Sequence, residues 1–195
     1  MHRGFGYVAA LAIGLAAWSS VSASQDCTAS LPQPPPGWTT LPLHAASKST
    51  LKVVLALNCR DCAPELWVEV GTGPANASMR AGPKGVAWAQ EAATAPNARA
   101  QLLAGLLAST RAGNPECLVQ ADIDGVTLVG AASFVAMRTR MKCPPAETET
   151  TIVSYTTFDG RCLNDVAVVW KNAANLTPQT MSRVYDLLAG LKFGP

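Results

Sequence analysis

Histidine, charge and long apolar runs are all scarce in this chain, and each shortage closes off a class of chemistry. Of 195 residues two are histidine, His2 and His44. His2 falls inside the leader described below, so a processed chain keeps one imidazole. A zinc site built on several histidines is thereby excluded, and a Ser-His-Asp or Cys-His unit would have to be assembled around His44 alone. That residue sits in a proline-rich stretch and reads as a surface or partly packed histidine. Charged residues are 14% of the chain and stand singly, so no basic stripe could release counterions from nucleic acid or hold an anionic membrane surface. Nucleic-acid binding is not expected. No low-complexity tail or repeat period is visible.

What is present begins with a leader. His2 and Arg3 make a short basic start, Phe5 to Trp18 an apolar stretch, and Val21-Ser22-Ala23 a small-x-small boundary. This is the three-part pattern of a signal peptide over residues 1–23, cleaved after Ala23. The apolar stretch is shorter than the roughly 20 residues that span a bilayer, and no cysteine follows the boundary to carry a lipid. The expected product is a periplasmic or secreted protein with no stable membrane insertion. Cleavage removes Arg3 and no acidic residue, leaving 14 Lys and Arg against 13 Asp and Glu. That near-neutral balance gives no steer toward a charged partner.

All six cysteines, Cys27, Cys59, Cys62, Cys117, Cys143 and Cys162, follow the leader. An even count in an exported chain reads as a set of disulfide bonds. Spacing alone does not choose the connectivity; the expectation is Cys59 with Cys62, the other four tying the proline-rich arm and the late strands to the body.

Residues 24–50 contain Pro32, Pro34, Pro35, Pro36 and Pro42 around Gly37-Trp38. Without amide donors this segment cannot be a helix or a central strand, so it is predicted to run extended over the surface, pinned by Trp38. Residues 51–195 read as one α+β domain. Leu51 to Leu57 and Glu65 to Val70 have strand character and could form a hairpin around Cys59 to Cys62. Gly71 to Gly85 reads as a loop. Helical composition follows from Val86 to Ala93 and from Pro96 to Thr110, closed by Gly113-Asn114-Pro115. Cys117 to Ala121 and Val126 to Val129 flank Asp122-Ile123-Asp124-Gly125, whose Asp-Gly step predicts a hairpin turn. In the next strand Val135, Met137, Thr139 and Met141 alternate with Ala136, Arg138, Arg140 and Lys142, giving one buried and one basic face. Thr151 to Phe158 and Leu163 to Trp170 flank a second Asp-Gly step at Asp159-Gly160. Thr177-Pro178 opens a last helix with a stripe of Met181, Val184, Leu188 and Leu191. The predicted architecture is an antiparallel sheet covered by helices, a disulfide-stabilised α+β sandwich.

The opening Pro35-Pro36-Gly37-Trp38, this strand order, and a final strand with Trp170 leading into a helix that closes Leu187-Leu188-Ala189-Gly190-Leu191-Lys192-Phe193 resemble the PsbP-like fold group. That group includes small exported bacterial accessory proteins. The likeness covers the layout of most of the processed chain, and the six cysteines are not part of its pattern. It implies a binding or accessory role and transfers no functional residue.

Cys59-x-x-Cys62 is the sharpest motif. In a redox enzyme the first cysteine starts a helix whose unpaired amides stabilise the thiolate. Here Ala63-Pro64 leads into strand-period sequence, and no aromatic residue precedes Cys59. The pair therefore reads as a structural disulfide, with a thiol–disulfide oxidoreductase as the alternative and Cu(I) capture with a nearby Met as a remoter one. Gly71-Thr72-Gly73 and Gly82-Pro83-Lys84-Gly85 lack the spacing of a phosphate loop. Asp122-x-Asp124-Gly125 lacks the later glutamate of a calcium loop. Arg138, Arg140 and Lys142 could face an anionic ligand, though charges on an exposed strand also block edge pairing. Asn76-Ala77-Ser78 and Asn175-Leu176-Thr177 are glycan acceptor sequons. No catalytic constellation is complete and no cofactor or metal is called for. The sequence predicts an exported, non-catalytic binding or accessory protein whose partner is an unidentified protein or small molecule.

Overall fold

The computed structural model describes residues 27–43, 51–145, 148–172 and 175–194. The leader and His44 lie outside them. Nine strands and four helices follow in the order β1 (Thr28–Ser30), β2 (Thr39–Thr40), β3 (Lys52–Cys59), β4 (Leu66–Pro74), α1 (Ala77–Ala81), α2 (Gly85–Thr94), α3 (Pro96–Gly113), β5 (Leu118–Val129), β6 (Ala132–Lys142), β7 (Glu149–Phe158), β8 (Cys162–Lys171), α4 (Pro178–Gly190) and β9 (Lys192–Gly194). Seven strands form one sheet, β2-β3-β4-β8-β7-β6-β5, with every neighbouring pair antiparallel. β1 and β9 form a separate two-stranded ribbon.

Composition explains which strands are central. β7 and β8 are rich in Val, Thr and Ile, side chains that suit a pleated surface packed on both sides, and nearly every residue of each is buried. The two faces are covered by different helices, so the molecule is the α+β sandwich its periodicities predict. On one face Val184, Leu187 and Leu188 of α4 pack with Leu191 against Leu57, Leu66, Val68, Val70, Val166, Val168 and Trp170. On the other, Ala89, Ala92 and Ala93 of α2 and Leu102 and Leu106 of α3 pack on Ile123, Val135 and Met137. The alternation in β6 is realised only toward its end: Val135, Met137, Thr139 and Met141 are buried and Arg140 and Lys142 exposed. Ala136, expected on the wet face, is buried in the α4-side core and Arg138 is half-buried, because α4 covers that face of the sheet as well.

Trp38 is buried in the α4 face of the core, holding the proline-rich arm down as expected. Short strands the sequence did not reveal stitch the arm further. Thr39 and Thr40 pair with Asn58 and Leu57 at the sheet edge, and Thr28 to Ser30 pair with the chain end. Two or three residues are too few to show a period.

Two other expectations are corrected. The Asp122 to Gly125 segment is no turn: β5 runs straight through it, with an extra residue between Ile123 and Gly125 relative to β6. Gly125 takes φ +131° there, a conformation open to glycine that converts the Asp-Gly step into a bulge. The turn lies instead between paired Val129 and Ala132. The stretch from Gly71 is likewise no loop at first. Gly71, Thr72 and Gly73 continue β4 by pairing with Asp165, Asn164 and Leu163 of β8, and α1 follows. Side-chain periodicity fails at Gly71 because a Cβ there would lie 3.2 Å from Cβ of Leu51.

Thr177 caps α4, its hydroxyl accepting from the Thr180 amide at 3.1 Å, with Pro178 in the first turn. Thr177→Ala is expected to cost about 1 kcal/mol in urea unfolding, and Thr177→Ser to recover most of it.

Candidate functional site

The sulfur atoms divide into three bonds, Cys27 with Cys162, Cys59 with Cys62, and Cys117 with Cys143. No described cysteine is free. Each bond closes the end of an element. Cys27–Cys162 ties the arm to the first residue of β8, and Cys117–Cys143 closes the open end of the β5–β6 hairpin, next to the Leu118–Lys142 pair. Cys59 and Cys62 bridge the turn between β3 and β4, immediately beyond the Cys59–Leu66 pair. Three such bonds mark a chain that folds in an oxidising environment.

The Cys59–Cys62 bond has unusual surroundings. Cys59 is fully buried and Cys62 is 7% exposed, both in the core cluster with Trp38 and Leu66. Nη1 of Arg183, from α4, lies 3.6 Å from Sγ of Cys59 and 3.9 Å from Sγ of Cys62. The same helix reaches the turn a second time, where Thr180 donates its hydroxyl to the Ala63 carbonyl at 3.2 Å. Above the guanidinium lies the Pro35 to Trp38 turn, closed by Trp38 N–H donating to the Pro35 carbonyl at 3.1 Å. Gly37 has φ +85°, and a Cβ on it would fall 2.9 Å from Nη1 of Arg183, so only glycine lets the arm settle over the cation. Sequence reasoning did not find Arg183. It stands 121 positions from Cys62, and a motif search along the chain looks for the helix directly after the cysteines.

A second feature passed unnoticed for the opposite reason. Asp165 lies in the middle of the apolar strand β8 on the α2–α3 side of the sheet, flanked by Gly71 on β4 and Thr156 on β7. Thr156 donates its hydroxyl to Oδ1 at 2.6 Å. Burial pushes the carboxyl up to about 7, the hydrogen bond from Thr156 opposing, so it is largely a neutral acid below that pH. On the other face, one residue back, Thr72 donates to Oδ1 of Asn164 at 2.7 Å. These two polar ties cross-link β4, β8 and β7 on opposite faces. Farther along the Asp165 face, burial also raises Glu69, and Trp67 packs with Ile152, Ala167 and Val169. Nζ of Lys171 sits 5.8 Å from the centre of the Trp67 ring, within cation–π range. The signal was legible: an acid, next to Asn164, in a strand that is otherwise apolar up to Lys171.

The basic face on β6 is partly spent within the fold. Arg138 donates Nε and Nη2 to Oδ2 of Asp124 at 3.0 and 2.9 Å. Arg140 stands 4.0 Å from Glu149, which is also the cross-strand neighbour of Lys142. Asp122 pairs with Arg99 of α3, so both carboxylates of the Asp122-x-Asp124 motif are committed to arginines. Asn76 caps α1 through Oδ1, accepting from the Met79 amide and the Ser78 hydroxyl at 2.7 Å. Its Nδ2, the glycan-accepting atom of that sequon, is buried without a partner, whereas Asn175 is exposed. Among the described residues no three His, Cys, Asp or Glu side chains converge on a point, and no helix is long and apolar enough to cross a membrane.

No family model matches the chain, and no curated protein matches it. Among solved structures it is similar to LpqN, described as involved in cell envelope biogenesis of Mycobacterium tuberculosis, with 11% identity and a TM-score of 0.43 over 89% of this chain and 87% of that one. A likeness at that level leaves the function of this chain to be read from its own residues.

Proposed function

We propose that this chain is an exported, disulfide-braced binding or accessory protein that carries out no chemistry of its own, acting on a partner protein or small molecule in the periplasm or outside the cell. The observation that supports it is the placement of sulfur: all three bonds close the ends of structural elements, and no described cysteine is free. Cys27–Cys162 and Cys117–Cys143, which close the longer loops, are bracing. The leader pattern and the PsbP-like layout agree with this reading.

Expression with the leader, followed by recovery of the periplasm and intact mass measurement, tests it. The expected product begins at Ser24 and is lighter by six hydrogens than its reduced form. Reduced thiols in that compartment, or steady turnover of a disulfide substrate by the purified chain, would overturn it.

The second reading, a thiol–disulfide oxidoreductase at Cys59 and Cys62, draws its support from the Arg183 guanidinium beside both sulfurs. Catalysed reduction of insulin by a dithiol at rates well above the uncatalysed reaction would establish it.

A further inference from the structure

We infer that Cys59–Cys62 is a redox modification site whose reduced form is held by Arg183, distinct in kind from the two bracing bonds. The inference is independent of whether the chain binds a partner. The low-pKa cysteine of a redox motif needs positive potential at its sulfur, commonly from the helix that follows it. Here that potential comes from a different part of the chain. α4 is tied to the turn by Thr180 and brings a permanently charged guanidinium within 4 Å of both sulfurs. The other ionisable groups nearby are placed to matter less. Arg60, Asp61 and Glu65 of the turn are exposed, Glu65 accepts from Nδ2 of Asn58, and Tyr185 and Asp186 of α4 are exposed. The covering residues, Pro35 to Trp38, carry no ionisable side chain.

A cation beside a disulfide favours the product of reduction, because it stabilises a thiolate and not a neutral disulfide; stabilising the reduced form makes the bond more oxidising. The reductant is a low-molecular-weight dithiol. Its thiolate attacks Sγ of Cys62, the residue of the pair that keeps some exposure, forming a mixed disulfide and expelling Cys59 as a thiolate paired with Arg183. The second thiolate of the reductant then attacks its own sulfur in the mixed disulfide and closes the oxidised ring, expelling Cys62, which takes up a proton. Two electrons pass from dithiol to protein. One protein sulfur ends as a thiol and the other as a thiolate, and the second proton of the dithiol is released to solvent. By contrast, Cys27–Cys162 and Cys117–Cys143 have no cationic side chain at hydrogen-bonding distance from their sulfurs among the described residues.

The experiment equilibrates the processed chain with graded ratios of reduced to oxidised dithiothreitol, quenches with an alkylating agent and quantifies each pair by peptide mass spectrometry. Cys59–Cys62 is expected to open at the lowest ratio of the three. Arg183→Gln should raise the ratio needed to open that pair about tenfold, equivalent to about 30 mV for two electrons, and leave the midpoints of the other pairs where they were. Arg183→Lys, which keeps the charge, should recover most of the shift. In the reduced chain the ultraviolet absorbance of thiolate should titrate at lower pH in the parent than in the Arg183→Gln variant, whose amide carries no charge. The inference fails if Cys59–Cys62 is the last pair to open, if its midpoint in Arg183→Gln stays within twofold, or if all three midpoints move together, since that last result is general loosening of the fold.

Discussion

Replacing Cys27 and Cys162 together by alanine is expected to lower the unfolding free energy by roughly 4–5 kcal/mol, the largest loss from any one of the three bonds. Chain-entropy reasoning sets the order. The bond joins residues 135 positions apart, against 26 for Cys117–Cys143 and 3 for Cys59–Cys62, and the unfolded ensemble loses more freedom the longer the closed loop. Native contacts point the same way. The arm that Cys27 secures pairs three residues with β9 and two with β3, so without the bond it is held by these short pairings, by Trp38 in the core and by Ala29 and Leu31 packed against it. Urea unfolding of the oxidised double variant and the parent measures the difference. A loss under about 1 kcal/mol would show that Trp38 and the short strands suffice, and that the bond adds little to what packing already holds.

The second large effect depends on pH. The folded chain holds the Asp165 proton to about pH 7, while the same carboxyl in the unfolded chain titrates near its ordinary value of 3.8. Between those pH values the folded state binds more proton than the unfolded state, so stability falls as pH rises. The contribution is fully present below pH 3.8 and is lost through about pH 7. At about 1.4 kcal/mol per unit the span amounts to roughly 4 kcal/mol. Asp165→Asn keeps an oxygen to accept from Thr156 and carries no charge at any pH. The variant should therefore gain on the parent steadily between about pH 4 and pH 8, whatever their difference at the acid end. Glu69, also raised by burial, slopes the curves of both proteins in the same sense. Urea midpoints at three pH values across the window decide it: parallel curves would mean that Asp165 reaches solvent or a cationic partner in the native state.

The two effects show how differently sequence and structure were informative. Helix α4 was legible almost to its ends, since Thr177-Pro178 is a local start signal and Val184 and Leu188 repeat at helical spacing. The α2–α3 segment and the β7–β8 hairpin were legible for the same reason. The Asp122 to Gly125 turn failed because an Asp-Gly step serves a hairpin and a bulge equally well. What decides between them is whether Ile123 is buried and whether Arg99 and Arg138 take the two carboxylates, and these are tertiary facts. Gly71 to Gly73 failed because glycine has no side chain to show a period, while its backbone still pairs with β8.

The same division runs through the site. Composition and spacing alone determined an antiparallel α+β sandwich, a Cys59 and a Cys62 within reach of each other across one turn, and a chemistry starved of imidazole. These rest on local propensities and on the short reach between neighbouring residues. Only the folded chain decided that Arg183 stands against the Cys59–Cys62 bond, that Asp165 is held neutral beside Thr156, and that Cys27 finds Cys162. Each of these joins strands or helices that are distant in sequence or turns on burial, and both are consequences of how the sheet orders its strands and which helix covers which face.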